Sequence, residues 1–467
     1  MLTRRHFAAL LAAAPVAQAQ PLPYLTIAEA AQALRRRQTT SLALTNACLH
    51  RIAAAQPRLH AFITVLADSA RAEATAADRE LAAGRPRGPL HGIPLAVKDL
   101  LDAKGVPTTA ASRHWANNIP SADAPALANL RRAGAVLLGK LNMDEFAYNF
   151  TGETSAYGTA RNPWNPAHSP GGSSGGAAVA IAAGLCLGAI GSDTGGSIRL
   201  PAAFCGVTGL KGTYGAVPTA GAAVLAGSLD HLGPLARTAE DAARLHEALG
   251  APPILEKRVN PKSLRLGLAR QLFWDHIDPE TDLLLAEAIK TLAALTAGAR
   301  PVTLPPLERS PLLPGFPHAY AEIIAAESYA YHAQRLQQHP ELFHPTTKTN
   351  LTGGAAVTPA RYQAALASLR RLRADPVPWF RQADILLTPT APGPAFPFGQ
   401  HDLVYLRNAA QWNLLGFPAL SLPCGFTKNN LPVGLQLIAA PHREDHLIAA
   451  ATAFERHTNW HRKQPRS

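Results

Sequence analysis

Two serine clusters rich in glycine contain the side chains best suited to covalent chemistry. One is GGSSGG at residues 171–176, and the other is DTGGS at residues 193–197. A serine attacks a carbonyl group when a base removes its proton. Glycine lets a substrate approach bare backbone N–H groups, which stabilise the oxyanion that such an attack creates. One Gly-Gly-Ser turn would indicate only packing, but two clusters around a single helix and strand favour acyl transfer at a serine.

The segment between the two clusters indicates how they are presented. Residues 177–186 have the small apolar side chains of a buried helix, and residues 187–191 have the pattern of a buried strand. Each cluster therefore lies at the boundary of an element, where backbone N–H groups are free and a hydroxyl can face a cleft.

Two other glycine motifs fail at specific positions. Residues 171–175 match G-x-S-x-G, the nucleophile elbow of α/β-hydrolases, but an elbow requires a strand directly before it. Residues 162–170 contain three prolines, which exclude a central strand there. A phosphate-binding loop at residues 191–197 would require a lysine after its last glycine, where Ser197 stands.

Lys98 is the side chain that best fits a base for such a serine. It ends the apolar run at residues 93–97, which predicts a buried strand. A lysine at a strand end often reaches solvent, whereas a desolvated lysine has a lowered pKa and can act as a neutral amine. The sequence leaves both alternatives open. The 18 histidines show no spacing that favours any one of them as the base.

These motifs together resemble the amidase signature family over about residues 25 to 457. The resemblance implies an α/β fold with a central mixed, mostly parallel, twisted sheet covered by helices on both faces. Alternation of strand and helix patterns along the chain independently favours that class. We expect a single domain at residues 21–467, with a variable helical region at about residues 305–380 that closes over the cleft. The matching segments are residues 92–99, 171–176, 193–201, 204–206, 209–211, 384–390 and 432–437.

The resemblance also implies a role for each motif position. Ser197 would be the nucleophile, Ser173 a relay serine after a cis peptide bond, and Lys98 the base. The family requires no metal or cofactor, and its substrates are carboxylic acid amides whose C–N bond is hydrolysed. The residues implied for oxyanion or substrate binding are Thr194, Gly195, Gly196 (with the Ser197 backbone) and Ala147, and those implied to support the loop are Ser174, Asp193 and Arg199.

Residues 141–148 and 161–164 look most like the glutamine-amidotransferase A subunit branch of this family. That branch releases ammonia from glutamine for a tRNA-bound substrate, working with partner subunits. It carries an acidic residue before the segment that corresponds to residues 413–418, and this residue recognises the glutamine amino group. Residues 405–412 contain no carboxylate. The sequence therefore favours an amidase, and the alternative is a protein of the amidotransferase branch.

The expected partner is a small-molecule amide, with a homodimer left open. Residues 147–149 correspond to the family's acyl pocket, and Trp412 is expected nearby, which favours an aromatic or medium-sized acyl group. The net charge is +12 at pH 7, but arginines are scattered and their short runs lie on helix-like segments, so we expect no nucleic acid.

The first 20 residues resemble a signal peptide of the twin-arginine type. Arg4 and Arg5 precede an apolar run at residues 8–14, and residues 17–19 form a small-x-small cleavage site. No later apolar run approaches the roughly 18 residues that span a bilayer. We therefore expect an exported, periplasmic enzyme without stable membrane insertion.

The four cysteines lack metal or redox spacing and are expected to be small buried residues, with a disulfide left open.

Overall fold

The computed structural model describes residues 21–311, 313 and 315–466. The signal peptide predicted for residues 1–20 lies outside the described residues. The helices of this part of the chain are α1 Ile27–Arg35, α2 Ser41–Leu59, α3 Ala67–Ala82, α4 Pro125–Arg132, α5 Gly175–Ala182, α6 Arg199–Cys205, α7 Ala239–Ala248, α8 Pro279–Leu295, α9 His318–Gln338, α10 Pro345–Gly353, α11 Pro359–Ala374, α12 Val377–Phe380, α13 Val404–Leu414 and α14 Glu444–Thr458.

The strands form a single twisted sheet across the described chain. Their order is β1-β3-β2-β4-β6-β5-β10-β11-β9-β7-β8. Their bounds are β1 Phe62–Val65, β2 Pro94–Lys98, β3 Val136–Leu141, β4 Gly188–Ser192, β5 Thr208–Lys211, β6 Leu232–Ala236, β7 Leu266–Leu268, β8 Ala299–Pro301, β9 Ile385–Pro389, β10 Ala419–Phe426 and β11 Pro432–Ala439.

The mixed α/β architecture is confirmed, but the balance of strand directions differs from the expected parallel majority. Among the described strands, β3-β2-β4 and β9-β7-β8 pair in parallel, whereas the middle of the sheet, from β4 through β6, β5, β10 and β11 to β9, pairs antiparallel. The cause is connectivity. A loop of a few residues joins β10 to β11, and such a short loop imposes antiparallel pairing.

Helices cover both faces of the sheet at β4, the strand between the two serine clusters. Gly188 lies against Leu245 of α7, and Gly191 lies against Ser174 just before α5. Side chains alternate along a strand, so these two positions face opposite sides. The helix α5 therefore packs on one face of β4, with its serine cluster held against the end of that strand.

Helix patterns in the sequence predict starts at Thr26, Ser41, Thr238 and Asp278, and three of these residues cap a helix in the structure. Thr26 forms a capping box with Glu29 at the start of α1. Thr238 and Asp278 accept a backbone N–H at the start of α7 and α8. For α2 the cap is Thr40, one residue before the predicted Ser41. These local hydrogen bonds satisfy N–H groups that a helix cannot pair internally.

Helices α9 to α12 fill most of the region at residues 305–380. The helix α9 packs against α10, α11 and α13, so it lies beside the segment that precedes residues 413–418.

Within the residues described, no helix has the length and apolarity to cross a membrane. Cys48, Cys186, Cys205 and Cys424 are all buried and unpaired.

Candidate active site

Lys98 lies at the centre of a buried group of three serine hydroxyls. Its Nζ atom lies 2.6 Å from Ser173 Oγ, 3.0 Å from Ser174 Oγ and 2.8 Å from Ser192 Oγ. The lysine is only 1% exposed, and the whole of β2 that carries it is buried. Of the two alternatives for Lys98, the structure therefore has the desolvated amine.

Burial makes Lys98 suited to act as a base near neutral pH. Desolvation lowers the pKa of Lys98 to about 7, although the carboxylates of Asp144, Asp193 and Asp230 act in the opposite direction. A charged amine loses more solvation than a neutral amine when it is buried, and hydroxyl partners replace only part of it. A substantial fraction of Lys98 is then neutral at pH 7.

The two serines of the first cluster, Ser173 and Ser174, lie directly before α5 and within hydrogen-bonding distance of Lys98. The peptide bond between Gly172 and Ser173 is cis, as the family resemblance implies. The Ser174 hydroxyl also donates to Ser192 O at 3.1 Å, and the Ser174 N–H donates to Ser197 O at 3.1 Å. Ser174 thus connects the first cluster to the loop that carries the second.

Asp193 organises the loop between β4 and α6. Its Oδ1 atom accepts from the Gly196 N–H at 2.8 Å, and its Oδ2 atom accepts from the Ile198 N–H at 3.1 Å. The Arg199 guanidinium donates to both oxygens, at 2.8 Å and 3.0 Å. Burial opposes ionisation, but Arg199 outweighs it and holds the pKa of Asp193 well below its usual range. The carboxylate therefore stays charged and the loop is fixed around it.

Arg199 connects this loop to the distal part of the chain. Its Nη1 atom donates to Gln436 Oε1 at 2.7 Å and to Ala409 O at 3.1 Å, and its Nη2 atom donates to Asn413 Oδ1 at 2.7 Å. Asn413 in turn donates to Asp193 Oδ1 at 2.8 Å. The supporting positions Asp193 and Arg199 are thus fully buried and mutually paired.

Three backbone N–H groups of the loop at residues 193–197 have no hydrogen-bond acceptor in the described part of the chain. They belong to Thr194, Gly195 and Ser197. Gly196 differs from the expectation, because its N–H already donates to the Asp193 carboxylate. Three of the four expected oxyanion donors are therefore available, and Gly196 serves the loop instead.

A cavity of about 150 Å³ opens beside these N–H groups. Ala147, Tyr148 and Asn149 line it, as the sequence predicts for an acyl pocket. Among the described residues, the lining contains no charged side chain. It consists of Ala147, Tyr148, Asn149, Phe150, Thr194, Gly195, Ser197, Leu225, Leu313, Phe316, Tyr320, Ile324, Asn350, Leu403 and Leu406.

The expectation that Trp412 lies near the acyl group is wrong. Trp412 stacks on Phe273 with ring centroids 5.6 Å apart, and its Nε1 donates to Asn408 O at 2.9 Å. It faces a separate apolar core because it lies on the side of α13 away from the cavity, whereas Leu406 lines the cavity. Sequence reasoning also missed Ser192 and Asn413. The position of Ser192 directly before Asp193, at the end of β4, was the available signal.

A sequence profile of the family described as Amidase matches residues 43–448. The chain belongs to the amidase family. It is therefore an enzyme of a family that acts on the carbon–nitrogen bond of amides. The structure holds no group of three or more His, Cys, Asp and Glu side chains placed to bind a metal within the residues described.

The proteins that this chain is similar to include amidotransferase A subunits and amidases. The A subunit of the glutamyl-tRNA(Gln) amidotransferase from Roseiflexus sp. (strain RS-1) is 40% identical, with 95% of this chain and 98% of that protein covered. A crystal structure of an amidase has a TM-score of 0.86 and 36% identity, covering 93% of this chain and 100% of that one. The peptide amidase from Stenotrophomonas maltophilia has a TM-score of 0.80 and 31% identity, covering 96% of this chain and 99% of that chain.

The paired burial of Asp193 and Arg199 predicts how the substitution Asp193→Asn behaves. It leaves the guanidinium buried without its carboxylate, and we expect a loss of about 3–5 kcal/mol in the free energy of unfolding at pH 7. Because the folded-state pKa of Asp193 is lowered, its ionisation stabilises the wild type at neutral pH. That contribution declines as the pH falls below about 4, the pKa of an unfolded Asp.

The measurement is chemical unfolding of both proteins from pH 7 to pH 3. The stability difference between wild type and Asp193→Asn should narrow as the pH falls. A difference that stays constant over this range would mean that the Asp193 charge does not contribute to stability.

Proposed function

We propose that this protein hydrolyses uncharged carboxylic acid amides through an acyl-enzyme on Ser197. The observation that carries the proposal is the 2.6 Å contact between Lys98 Nζ and Ser173 Oγ in a buried site, with Ser197 on the adjoining cavity. Lys98 accepts the Ser173 proton while Ser173 accepts the Ser197 proton. The Ser197 Oγ then attacks the amide carbonyl, and the N–H groups of Thr194, Gly195 and Ser197 stabilise the oxyanion.

The same proton completes the reaction. It returns through Ser173 to the amide nitrogen, the C–N bond breaks, and the amine leaves. Water then attacks the acyl-enzyme carbonyl, and its proton passes through Ser173 to Lys98. Return of that proton to Ser197 Oγ breaks the ester bond, which releases the carboxylic acid and restores Ser197. The base is needed as a neutral amine, which the lowered pKa of Lys98 supports.

The lining of the cavity supports an uncharged substrate with an apolar acyl group. Glutamine would bring an ammonium and a carboxylate group, and buried charges need partners of opposite charge. Leu403 and Leu406 line the cavity from the segment that begins α13, and the described lining offers no carboxylate or guanidinium. Aromatic or medium-sized aliphatic amides fit this chemistry better.

The second candidate is a protein like the A subunit of glutamyl-tRNA amidotransferase, which would release ammonia from glutamine together with partner subunits. The 40% identity over 95% of the chain supports it, and judged by the names of similar sequences alone it is the better supported of the two. We rank it second because the described cavity lining has no group for the charged ends of glutamine.

We also propose that the protein is exported, which would separate it from charged tRNA. The support is the pattern of Arg4, Arg5 and the apolar run that follows. Cells that express the full chain should yield a periplasmic protein whose first residue is Gln20 or Pro21. N-terminal sequencing of the recovered protein tests this, with a variant in which both arginines become lysine as the control. An intact Met1 on a cytoplasmic protein would reject export.

Substitution of Lys98 tests the proposed base. For the wild type, kcat/KM should rise with pH through about 7, because the neutral amine is the active form. Lys98→Ala should lose about 10²- to 10⁴-fold at pH 7 and recover part of that at high pH, where hydroxide replaces the base. Lys98→Arg is the control, since it retains a cation without a usable base and should be equally inactive at pH 7. Near wild-type activity of either variant at neutral pH would reject Lys98 as the base.

A substrate panel separates the two candidate functions. The purified chain from residue 21 onward would be assayed with benzamide, short aliphatic amides, acyl-anilides, a C-terminal peptide amide and glutamine. We expect turnover of uncharged amides, no turnover of glutamine, and complete loss of turnover in Ser197→Ala. Hydrolysis of glutamine alone would favour the amidotransferase role, and unchanged activity of Ser197→Ala would reject the nucleophile.

A further inference from the structure

Asp230 contacts the loop at residues 193–197, in which three backbone N–H groups have no acceptor among the described residues. The Thr194 hydroxyl donates to Asp230 Oδ1 at 2.6 Å. Thr194 is the first of the residues with a free N–H, so this bond fixes the end of the loop that the Asp193 carboxylate does not contact. Among the described residues, the backbone N–H groups that the Asp193 carboxylate accepts are those of residues 196 and 198.

The segment around Asp230 is itself fixed to the backbone of the loop. Asp193 and His231 exchange backbone hydrogen bonds, N to O, at 2.9 Å and 3.1 Å. The chain at residues 230–231 therefore runs beside residues 193–194, paired once through the backbone and once through a side chain. With two such contacts, the Thr194 peptide is held in position and orientation.

Asp230 also organises the turn that precedes it. Its Oδ2 atom accepts from the N–H groups of Leu225 at 3.0 Å and Ala226 at 3.1 Å. The turn is anchored on its other side, because Ser228 donates its N–H to Glu327 of α9 at 2.9 Å. Tyr362 of α11 donates to the same Glu327 at 2.8 Å. The loop at residues 193–197 is thereby connected through Asp230 and its turn to α9, which lines the cavity, and through Glu327 to α11.

Asp230 forms no ion pair with a cationic side chain among the described residues, although its charge acts on the pKa of the buried Lys98. It lies deep in the protein but keeps some accessible surface, because it lines a second cavity of about 40 Å³. Ser192 and Thr194 line the same small cavity, next to the larger one. Burial raises the pKa of the Asp230 carboxyl to about 6. Burial of a carboxylate costs free energy, and the hydrogen bonds from Thr194, Leu225 and Ala226 offset part of that cost.

We propose that Asp230 is a positioning residue of the active site, which orients the Thr194 N–H toward the oxyanion through the Thr194 hydroxyl. The inference rests on the proposed function, since it assumes that these N–H groups stabilise the transition state. The effect that acts through Thr194 is exerted in the transition state, because the ground-state carbonyl needs these donors less than the oxyanion does. Loss of Asp230 should therefore lower kcat and leave KM nearly unchanged.

The substitution Asp230→Asn tests this with a matched control in the same chain. Asp241 is also buried, also accepts two backbone N–H groups, and burial raises its pKa to about 6 as well. It holds the start of α1, away from the cavity. Asp230→Asn should lower kcat about 10- to 100-fold on an amide that the wild type hydrolyses, with KM changed by less than about threefold. Asp241→Asn should change kcat less than about twofold even where it lowers the melting temperature as much.

A double-mutant cycle identifies the contact responsible. Thr194→Val removes the hydroxyl and keeps the shape, and Thr194→Ser should recover most of the kcat that it loses. If both residues act through one hydrogen bond, the double variant that combines Thr194→Val and Asp230→Asn should lose no more kcat than the more impaired single variant. Multiplicative losses, or equal kcat values for Asp230→Asn and Asp241→Asn, would overturn the inference.

Binding of phenylboronic acid separates this inference from the proposed function. A boronate forms a tetrahedral adduct with a reactive serine, so it should inhibit the wild type and not bind Ser197→Ala. Asp230→Asn should weaken phenylboronic acid at least about tenfold more than it weakens competition by benzyl alcohol, an uncharged analogue that forms no adduct with the serine. Absence of turnover and of boronate binding in the wild type would reject the proposed function itself. Wild-type turnover with equal boronate affinity in Asp230→Asn would reject only the role of Asp230.

Discussion

The buried ion pair between Asp193 and Arg199 is the interaction on which the site depends. Both side chains are fully buried, so each charge must be matched where it lies. The carboxylate takes the N–H groups of residues 196 and 198, and the guanidinium takes acceptors on α13 and β11. Breaking any of these bonds would leave a buried charge incompletely paired. The pair therefore fixes the loop whose Thr194, Gly195 and Ser197 N–H groups have no acceptor among the described residues and lie at the cavity.

Burial has a different consequence for the cation of Lys98 than for the cation of Arg199. Arg199 contacts a carboxylate directly, whereas Lys98 contacts only serine hydroxyls. Desolvation lowers the pKa of Lys98 to about 7 because hydroxyls do not compensate for it as a carboxylate in direct contact would, whereas Arg199 keeps Asp193 ionised. The two cations lie on elements that meet at the serine clusters. One supplies a fixed framework, and the other supplies a group that can change its protonation state.

The chemistry and the substrate are determined by different parts of the chain. The groups suited to the reaction lie in β2 and in the two serine clusters, which carry the family motifs. The cavity is lined by separate segments around residues 147–150, 313–324, 350 and 403–406, in addition to the loop. Overall identity to similar proteins is dominated by the framework, whereas the lining is a small set of side chains. For this reason a protein can resemble one branch of the family in sequence and present an uncharged cavity.

The sequence by itself determined the fold class, the family and the positions of the motif residues. Local patterns were sufficient there: the apolar run that ends at Lys98, the caps Thr26, Thr238 and Asp278, and the glycine spacing. It did not determine the strand directions, the position of Trp412 or the free N–H groups.

Only the tertiary structure decided whether Lys98 is solvated and which partners hold the loop. The Lys98 environment comes from hydroxyls 75 to 94 residues away, and Asp193 meets Asn413 at a separation of 220 residues. The partner Asp230 lies 36 residues from Thr194 with no local pattern that marks it. Solvation and hydrogen bonding depend on what packs around a group, and packing of distant segments is set by the whole fold.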